Sequence, residues 1–383
     1  MPRTEGRHWT AAVGPWLGIG AAPATLTLGA AMAERNDGAV PVPTLVLGGL
    51  LMAALLFGQG MLGLRPPHGT GGTLTSAVPS YLDQKSRVLL GVMLALAMVG
   101  WNGFNVGLGG ASVATLSGLP GPAGAVLLGA LVFAASFATP KLGNRIGVVA
   151  TLCAIGLVAF CVYRLSPDSS PVSARVSANA LDIAALGGYI AVFAVRAPDF
   201  SHGLRRRRDL AWCVALLVVP AVCATIAGVG IWLRTGQSDV VAVLAQTQSV
   251  GNLFVALAVF TPALTTTYSG ALALRSVWPR LSTTAGMLLI AVPGTALAAA
   301  RFDNHLLPWL GVLAALLPPL VVPMATEAWR RRRGLAVANI PLWTWATPGL
   351  IAMILGQPMI GLGLAAITTV WRYRSDIANR IRA

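Results

Sequence analysis

Charged side chains are scarce in this chain of 383 residues, and their scarcity excludes a water-soluble globule. Only 10% of the residues are charged, whereas 56% are hydrophobic and the mean hydropathy is +0.73. Soluble domains carry about 25% charged residues. Lysine is the rarest basic residue, because Lys85 and Lys141 are the only lysines among 27 basic side chains. Such a bias is typical of GC-rich bacterial genomes, so we expect a protein of the bacterial cytoplasmic membrane.

Side chains that bind metals or catalyse reactions are also few. The sequence has four histidines, all at the ends of apolar runs or between them, and its acids are equally peripheral. It contains no Ser-His-Asp arrangement and no glycine loop of the kind that binds phosphate. The four cysteines lie inside apolar runs without metal-ligand spacing, as small hydrophobic residues do: Cys153, Cys161, Cys213 and Cys223. We therefore expect no enzymatic activity and no resident cofactor.

What the chain does have is a series of about twelve apolar runs, each near the ~20 residues that cross a hydrocarbon core. Runs in lipid must be helical, because the backbone has to satisfy its own hydrogen bonds there. The predicted spans are 11–33, 43–64, 87–115, 121–138, 144–164, 179–197, 210–233, 251–274, 282–300, 304–324, 341–355 and 357–371. The first run lacks a small-residue cleavage site, so no cleavable signal peptide is expected.

Arginine collects in every second gap between these runs, as in the segments 205–208 and 330–333. Positively charged loops stay in the cytoplasm, so this alternation predicts that both termini are cytoplasmic. Both termini on one side require an even number of spans, which agrees with the count of about twelve. The net charge of +15 is explained by orientation and by anionic lipid, and we expect no nucleic-acid partner.

Two of the predicted spans contain helix-breaking residues. The first runs from Gly14 to Pro23 through Gly18, and the sixth contains Gly187-Gly188 and ends near Pro198. Broken helices at matched positions in two halves are typical of inverted-repeat transporters, in which unwound backbone binds a ligand or an ion. We expect Gly18 and Gly188 to serve that function. We assign Gly29 and the glycines of 107–110 to close helix packing instead.

The third span places an aromatic ring and an amide deep in an apolar helix. Trp101 and Asn105 are separated by four residues, so they share one helix face. An indole offers a flat surface on which a planar ring can stack, and a carboxamide offers both a donor and an acceptor to the edge of that ring. This pair suits a neutral, nucleobase-like solute. The alternative is that the amide bonds a neighbouring helix and the indole only packs.

These residues resemble a known family. The segment from Gly100 to Asn105, the segment 197–201 (Ala-Pro-Asp-Phe-Ser) and Tyr268-Ser269-Gly270 are similar to motifs of the nucleobase:cation symporter-1 family, which includes cytosine, uracil, hydantoin and allantoin permeases. The resemblance extends from about Trp9 to Trp371.

The resemblance implies an all-α membrane protein of two inverted five-helix repeats plus two C-terminal helices, as in the sodium-coupled amino-acid transporters. The corresponding regions are a cytoplasmic N-terminus 1–10, a first repeat 11–164, an extracellular linker 165–178, a second repeat 179–324, a cytoplasmic linker 325–340, two extra helices 341–371 and a cytoplasmic tail 372–383.

The resemblance also implies a substrate site. Trp101 matches the stacking tryptophan of the family, Asn105 its base-reading amide and Gly18 a backbone contact. The second aromatic contact comes from Tyr189 or Phe193. In the eighth span the amides of the family are replaced by Ala263 and Thr265, so that Thr265, Thr266 or Thr267 is left to offer a hydroxyl.

A sodium site is implied between the first and eighth spans. Its ligands match the carbonyls of Gly14, Leu17 and Ala258 and the hydroxyl of Thr261, but Pro262 replaces a second hydroxyl. Sodium or proton coupling and uncoupled transport therefore all stay open. Asp199 is assigned to an ion pair that anchors the following loop to a cytoplasmic arginine.

The function that this resemblance implies is import of cytosine or a related neutral heterocycle by alternating access, coupled to a cation. The alternatives are a thiamine-precursor pyrimidine, allantoin, a hydantoin or an amino acid as substrate, and a channel or embedded subunit in place of a transporter. The sequence leaves the oligomeric state open.

Overall fold

The computed structural model describes residues 6–138, 140–247, 249–335 and 337–374. These residues form eighteen α-helices, three short 3-10 helices and two short strands. The α-helices, α1 to α18 in chain order, are Val13–Gly20, Pro23–Asn36, Val42–Gly60, Leu74–Tyr81, Gln84–Ser117, Gly121–Ala135, Pro140–Arg164, Ala180–Val195, Ala197–Ser201, Arg207–Thr235, Val240–Thr247, Ser249–Ala258, Phe260–Val277, Thr283–Ala299, Leu306–Leu316, Pro318–Arg332, Ala346–Ile354 and Pro358–Arg372. The 3-10 helices are Trp9–Ala12, Phe302–His305 and Leu342–Thr344, and the strands β1 and β2 are Val40–Pro41 and Val172–Ser173.

The first ten predicted spans correspond to apolar helical segments. Seven segments are long and apolar enough to cross a membrane: Trp9–Asn36, Val42–Gly60, Gln84–Ser117, Arg145–Arg164, Arg207–Thr235, Val250–Val277 and Phe302–Arg332. Three further apolar helices are shorter, namely Gly121–Ala135, Ala180–Val195 and Thr283–Ala299. The chain is a multi-pass membrane protein, and the prediction of an all-α architecture is confirmed.

The last two predicted spans form a short hairpin. Helix α17 has only nine residues, about 14 Å at 1.5 Å per residue, against a hydrocarbon core of about 30 Å. The chain reverses at Gly356, whose φ of +63° lies in the left-handed region that favours glycine. Helix α18 then packs back against α17 and α16.

The packing of the helices has the symmetry expected of two repeats. Helix α2 of the first span packs against α10 of the seventh, and α3 of the second span packs against α8 of the sixth. If the first span is exchanged with the sixth, and the second with the seventh, each pairing becomes the other. The long helix α5 of the third span lies against α13 of the eighth, so it is the centre of the bundle.

Glycines allow these helices to approach closely. A methyl group at Gly29 of α2 would overlap the Thr225 carbonyl of α10, and one at Gly110 of α5 would overlap the backbone of Ala125 in α6. The assignment of these glycines to close packing is confirmed. Such contacts are typical of membrane helices, which associate through small residues.

The sixth span differs from the prediction. Helix α8 continues through Gly187 and Gly188 without interruption, so the predicted break at Gly188 is wrong. A methyl group at Gly188 would overlap the Leu310 carbonyl of α15, which gives this glycine a packing role. The interruption expected near Pro198 is present, because α8 ends at Val195 and Pro198 lies in the first turn of α9.

Candidate substrate and ion site

The first transmembrane span is broken in its middle, as predicted. Helix α1 ends at Gly20, Ala22 has an extended backbone, and α2 begins at Pro23. Proline has no N–H, so it cannot continue the hydrogen-bond ladder to the carbonyl of Ile19, four residues earlier. That carbonyl accepts instead from the amide of Ala22 at 3.2 Å and from the hydroxyl of Tyr189.

The predicted aromatic residues lie beside this break. The Trp101 and Tyr189 rings meet edge to face, with ring centroids 5.8 Å apart and an interplanar angle of 79°. Both side chains are buried. Tyr189 therefore joins the third span, through its ring, to the broken first span, through its hydroxyl.

Phe193 lies elsewhere. It stacks on Phe200 with centroids 4.2 Å apart and meets Trp16 at 5.1 Å. Of the two aromatic side chains considered for the sixth span, Tyr189 is the one that contacts Trp101.

The two asparagines of the third span have different surroundings. Asn105 donates to the Trp101 carbonyl of its own helix at 2.8 Å. Asn102 donates to Thr267 of α13 at 2.9 Å, and its side-chain oxygen is buried without a partner among the described residues. Asn102 thus bonds a neighbouring helix through its N–H, whereas Asn105 bonds its own helix. Asn102 was not among the predicted site residues, although an amide in an apolar helix is a signal of function.

The threonines of the eighth span also differ in their contacts. Thr266 donates to the Ala263 carbonyl at 2.9 Å and lies 3.4 Å from the Asn102 amide. Thr267 is buried and bonds Asn102, while Thr265 is exposed. Thr266 and Thr267 therefore take part in the contact between α5 and α13.

Pro262 creates a second irregularity, between α12 and α13. Because it lacks an N–H, it leaves the carbonyl of Ala258 without its usual donor four residues later. The hydroxyl of Thr261 is buried and has no partner among the described residues. Ala258 and Thr261 are thus two candidate oxygen ligands. Pro262 replaces a hydroxyl that the resemblance implied, but it also removes the N–H that would bond the Ala258 carbonyl.

Ala258 lies near the break in the first span. Ala258 packs with Ala21, at the end of α1, and with Ala154 of α7 in a small cluster. Of the other predicted ion ligands, Leu17 has a carbonyl that accepts from the Ala21 amide at 2.9 Å, and Gly14 is exposed one turn earlier. Gly18 lies toward α7, where a methyl group would be 3.4 Å from the Thr151 hydroxyl.

Ion pairs hold the outer ends of the helices that surround the site. Asp182, at the start of α8, is buried and bonds Arg35 and Asn36 of α2, the latter at 2.6 Å. Arg301 donates to Asp239 and to Asp303, both at 3.0 Å. These contacts hold together the end of the bundle at which α2 ends and α8 begins, and they were not among the predicted features.

Two further carboxylates, Asp199 and Glu327, hold the opposite end of the bundle. Asp199 pairs with Arg196 at 2.9 Å and accepts from the Leu74 amide at 2.7 Å, which confirms its predicted role as a loop anchor. Glu327 is fully buried and accepts from Tyr373 at 2.8 Å. Burial and that hydrogen bond raise the pKa of Tyr373 to about 12.

No group of three or more His, Cys, Asp or Glu side chains that could hold a metal ion occurs within residues 6–138, 140–247, 249–335 and 337–374. Any cation at the site would therefore be held mainly by carbonyl and hydroxyl oxygens. Such oxygen ligands suit hard cations, among which Mn²⁺ is also counted, better than Cu⁺ or Zn²⁺.

No family model and no curated protein matches the chain. Solved structures match it over almost its entire length, and the class that they define is the inverted-repeat fold of membrane transporters.

One match is Mhp1, a nucleobase-cation-symport-1 family transporter, in a closed conformation with bromovinylhydantoin bound. It has a TM-score of 0.69 and 17% identity, over 98% of this chain and 96% of that one. The inward-facing conformation of Mhp1 has a TM-score of 0.68 and 17% identity, over 98% and 94%. A mutant of the manganese transporter of Eremococcus coleocola has a TM-score of 0.64 and 13% identity, over 100% and 90%. At these identities the likeness shows the fold, and it supports the resemblance that the third-span motif indicated.

Proposed function

We propose that this protein is a secondary transporter that imports a neutral planar heterocycle, such as cytosine or a related pyrimidine or purine, together with a cation. The observation that carries the proposal is that Tyr189, on the sixth span, contacts both the third span and the first. Its ring touches Trp101 on the third span, and its hydroxyl bonds the Ile19 carbonyl at the break in the first span.

The substrate binds on the Trp101 face beside this contact. The indole stacks on the heterocycle, and the side-chain oxygen of Asn105 accepts from an N–H at its edge. Trp101 and Asn105 are both uncharged, which favours a neutral solute. Mhp1, which has the same fold, was solved with bromovinylhydantoin bound, and that ligand is built on a planar ring.

The cation binds between the break in the first span and the end of α12. Its proposed ligands are the Ala258 carbonyl, the Thr261 hydroxyl and the carbonyls of Gly14 and Leu17. The unpartnered hydroxyl of Thr261 and the packing of Ala258 near Ala21 support this place. Sodium, which prefers oxygen ligands, is the proposed ion.

One cation for each substrate is sufficient as a driving force. A tenfold accumulation needs about 1.4 kcal/mol, and one charge that moves through 100 mV supplies about 2.3 kcal/mol. Alternating access follows if the segment that holds α1 and the segment that holds α8 move against α5 and α13, so that the contact at Tyr189 forms and breaks in each cycle.

The test is uptake into proteoliposomes of labelled cytosine, hydroxymethylpyrimidine, allantoin, a hydantoin, an amino acid and Mn²⁺, with sodium or choline outside. We expect sodium-dependent uptake of one of the heterocycles. The variants Trp101→Ala and Asn105→Ala should each lower it at least about tenfold, whereas Trp343→Ala, on the distant C-terminal hairpin, should not.

The coupling ion is tested separately. Thr261→Val should raise the sodium concentration needed for half-maximal uptake, while Thr326→Val, whose hydroxyl bonds its own helix near the cytoplasmic end, should leave it unchanged. Uptake of an amino acid or of Mn²⁺ alone would contradict the proposed substrate, and unchanged uptake in both Trp101→Ala and Asn105→Ala would contradict the proposed site.

A further inference from the structure

A pocket of about 370 Å³ opens at the cytoplasmic end of the bundle, away from the site described above. It lies between the segment that precedes α1 and the start of α10. Three arginines and two tryptophans provide most of its lining: Trp9, Arg205, Arg206, Arg208 and Trp212.

Two distant parts of the chain build this pocket. The Arg7 amide donates to the Gly203 carbonyl at 2.9 Å, and the Arg205 amide donates to the Arg7 carbonyl at 3.3 Å. The Arg205 side chain donates to the carbonyl of Gly6. The pocket is thus held in shape by hydrogen bonds between the N-terminal segment and the linker from the sixth to the seventh span.

The pocket carries an excess of positive charge. Asp209, the one carboxylate among its described lining residues, is engaged by the Arg206 backbone amide at 3.2 Å and lies 3.8 Å from His8 Nε2. The Arg206 and Arg208 side chains are exposed at its rim. Guanidinium groups bind phosphate strongly, through paired hydrogen bonds, so the occupant that fits this charge is a phosphate-bearing anion.

The tryptophans identify the source of that phosphate. The Trp9 and Trp212 rings lie 6.2 Å apart, and Trp212 is 48% exposed on the side of α10. Tryptophan is enriched at the depth of the lipid headgroups, and basic pockets between cytoplasmic helix ends bind anionic headgroups. A phospholipid offers both a phosphate for the arginines and an acyl chain for the indoles.

We propose that this pocket binds the headgroup of one anionic phospholipid of the cytoplasmic leaflet, with Arg206 and Arg208 on the phosphate and Trp9 and Trp212 along the start of the acyl chain. The bound lipid ties the N-terminal segment to the start of α10. Since that segment leads directly into the broken first span, lipid binding also restrains the movement of α1.

The experiment measures lipid retention by the purified full-length protein in detergent, using native mass spectrometry with phosphatidylglycerol or phosphatidylethanolamine added. We expect one tightly retained phosphatidylglycerol. The Arg206→Gln/Arg208→Gln variant should lower its retention about tenfold or more, given roughly 1 kcal/mol for each arginine near the headgroups.

Two variants serve as controls. Arg275→Gln/Arg280→Gln removes the same charge from another cytoplasmic loop and should retain the lipid. Arg206→Lys/Arg208→Lys keeps the charge and should retain most of it. Equal losses in both glutamine variants would overturn the proposal, because they would indicate diffuse attraction rather than a site. Displacement of the lipid by millimolar inorganic phosphate, or equal retention of phosphatidylethanolamine, would also overturn it.

Discussion

The first and sixth transmembrane spans occupy equivalent places in the two repeats, yet they are interrupted in different ways. The first is broken at its middle, where Ala22 is extended and Pro23 starts a new helix. The sixth stays helical through Gly188 and ends only at Val195. Both spans contain more than one glycine, so glycine by itself does not break a membrane helix. Proline removes a backbone hydrogen bond wherever it occurs, yet Pro220 lies inside the continuous helix α10. Whether either residue interrupts a helix therefore depends also on what lies around it.

The largest expected effect comes from filling the space at Gly188. The variant Gly188→Val places a side chain against the Leu310 backbone, and overpacking of this kind costs about 1–3 kcal/mol or more. We expect a clear fall in the thermal unfolding midpoint, measured by the fluorescence of the detergent-solubilised protein.

Gly18→Ala is the matched comparison, because its new methyl group meets only the Thr151 hydroxyl at 3.4 Å, and its stability should change by less than about 1 kcal/mol. If Gly188→Val were as stable as the natural protein but inactive, Gly188 would have a functional role instead of a packing role.

A smaller effect is expected from repairing the break in the first span. Pro23→Ala supplies an N–H that can bond the Ile19 carbonyl and so compete with Tyr189. One such hydrogen bond contributes about 1 kcal/mol, so we expect about a fivefold fall in uptake with stability equal or higher. Pro220→Ala, within the continuous helix α10, is the control and should transport normally. Normal uptake in Pro23→Ala would show that transport does not depend on the break in the first span.

The smallest effect is expected from Tyr189→Phe, which keeps the ring against Trp101 and removes only the hydroxyl. The Ile19 carbonyl still accepts from Ala22, so the loss should be about 1 kcal/mol or less. Uptake should fall a few-fold, and less than in Pro23→Ala. Tyr268→Phe provides the comparison, because Tyr268 is 51% exposed on α13. An equally large fall in uptake in Tyr268→Phe would contradict a specific role for the Tyr189 hydroxyl.

The same contrast explains which parts of the site could be predicted. The spacing of Trp101 and Asn105 places both on one helix face in any α-helix, so that prediction needed no tertiary information. The sequence could not show whether Tyr189 or Phe193 contacts Trp101, because both lie on one side of α8. Only the packing shows that Phe193 contacts Phe200 and Trp16 instead. Asn102 and Thr267 meet across 165 positions of sequence, a separation at which local patterns contain no signal.

The amino-acid sequence by itself determined that the chain is a helical membrane protein and where most of its spans lie, and it marked the first span as a candidate for a break. The first two properties follow from backbone hydrogen bonding in lipid, which acts locally. Only the tertiary structure decided that α8 stays continuous at Gly188, that Tyr189 reaches the broken helix and that the Thr261 hydroxyl is left without a partner. Each of these depends on which surfaces face one another, and a glycine, a phenol or a hydroxyl can serve several purposes until its neighbours are known.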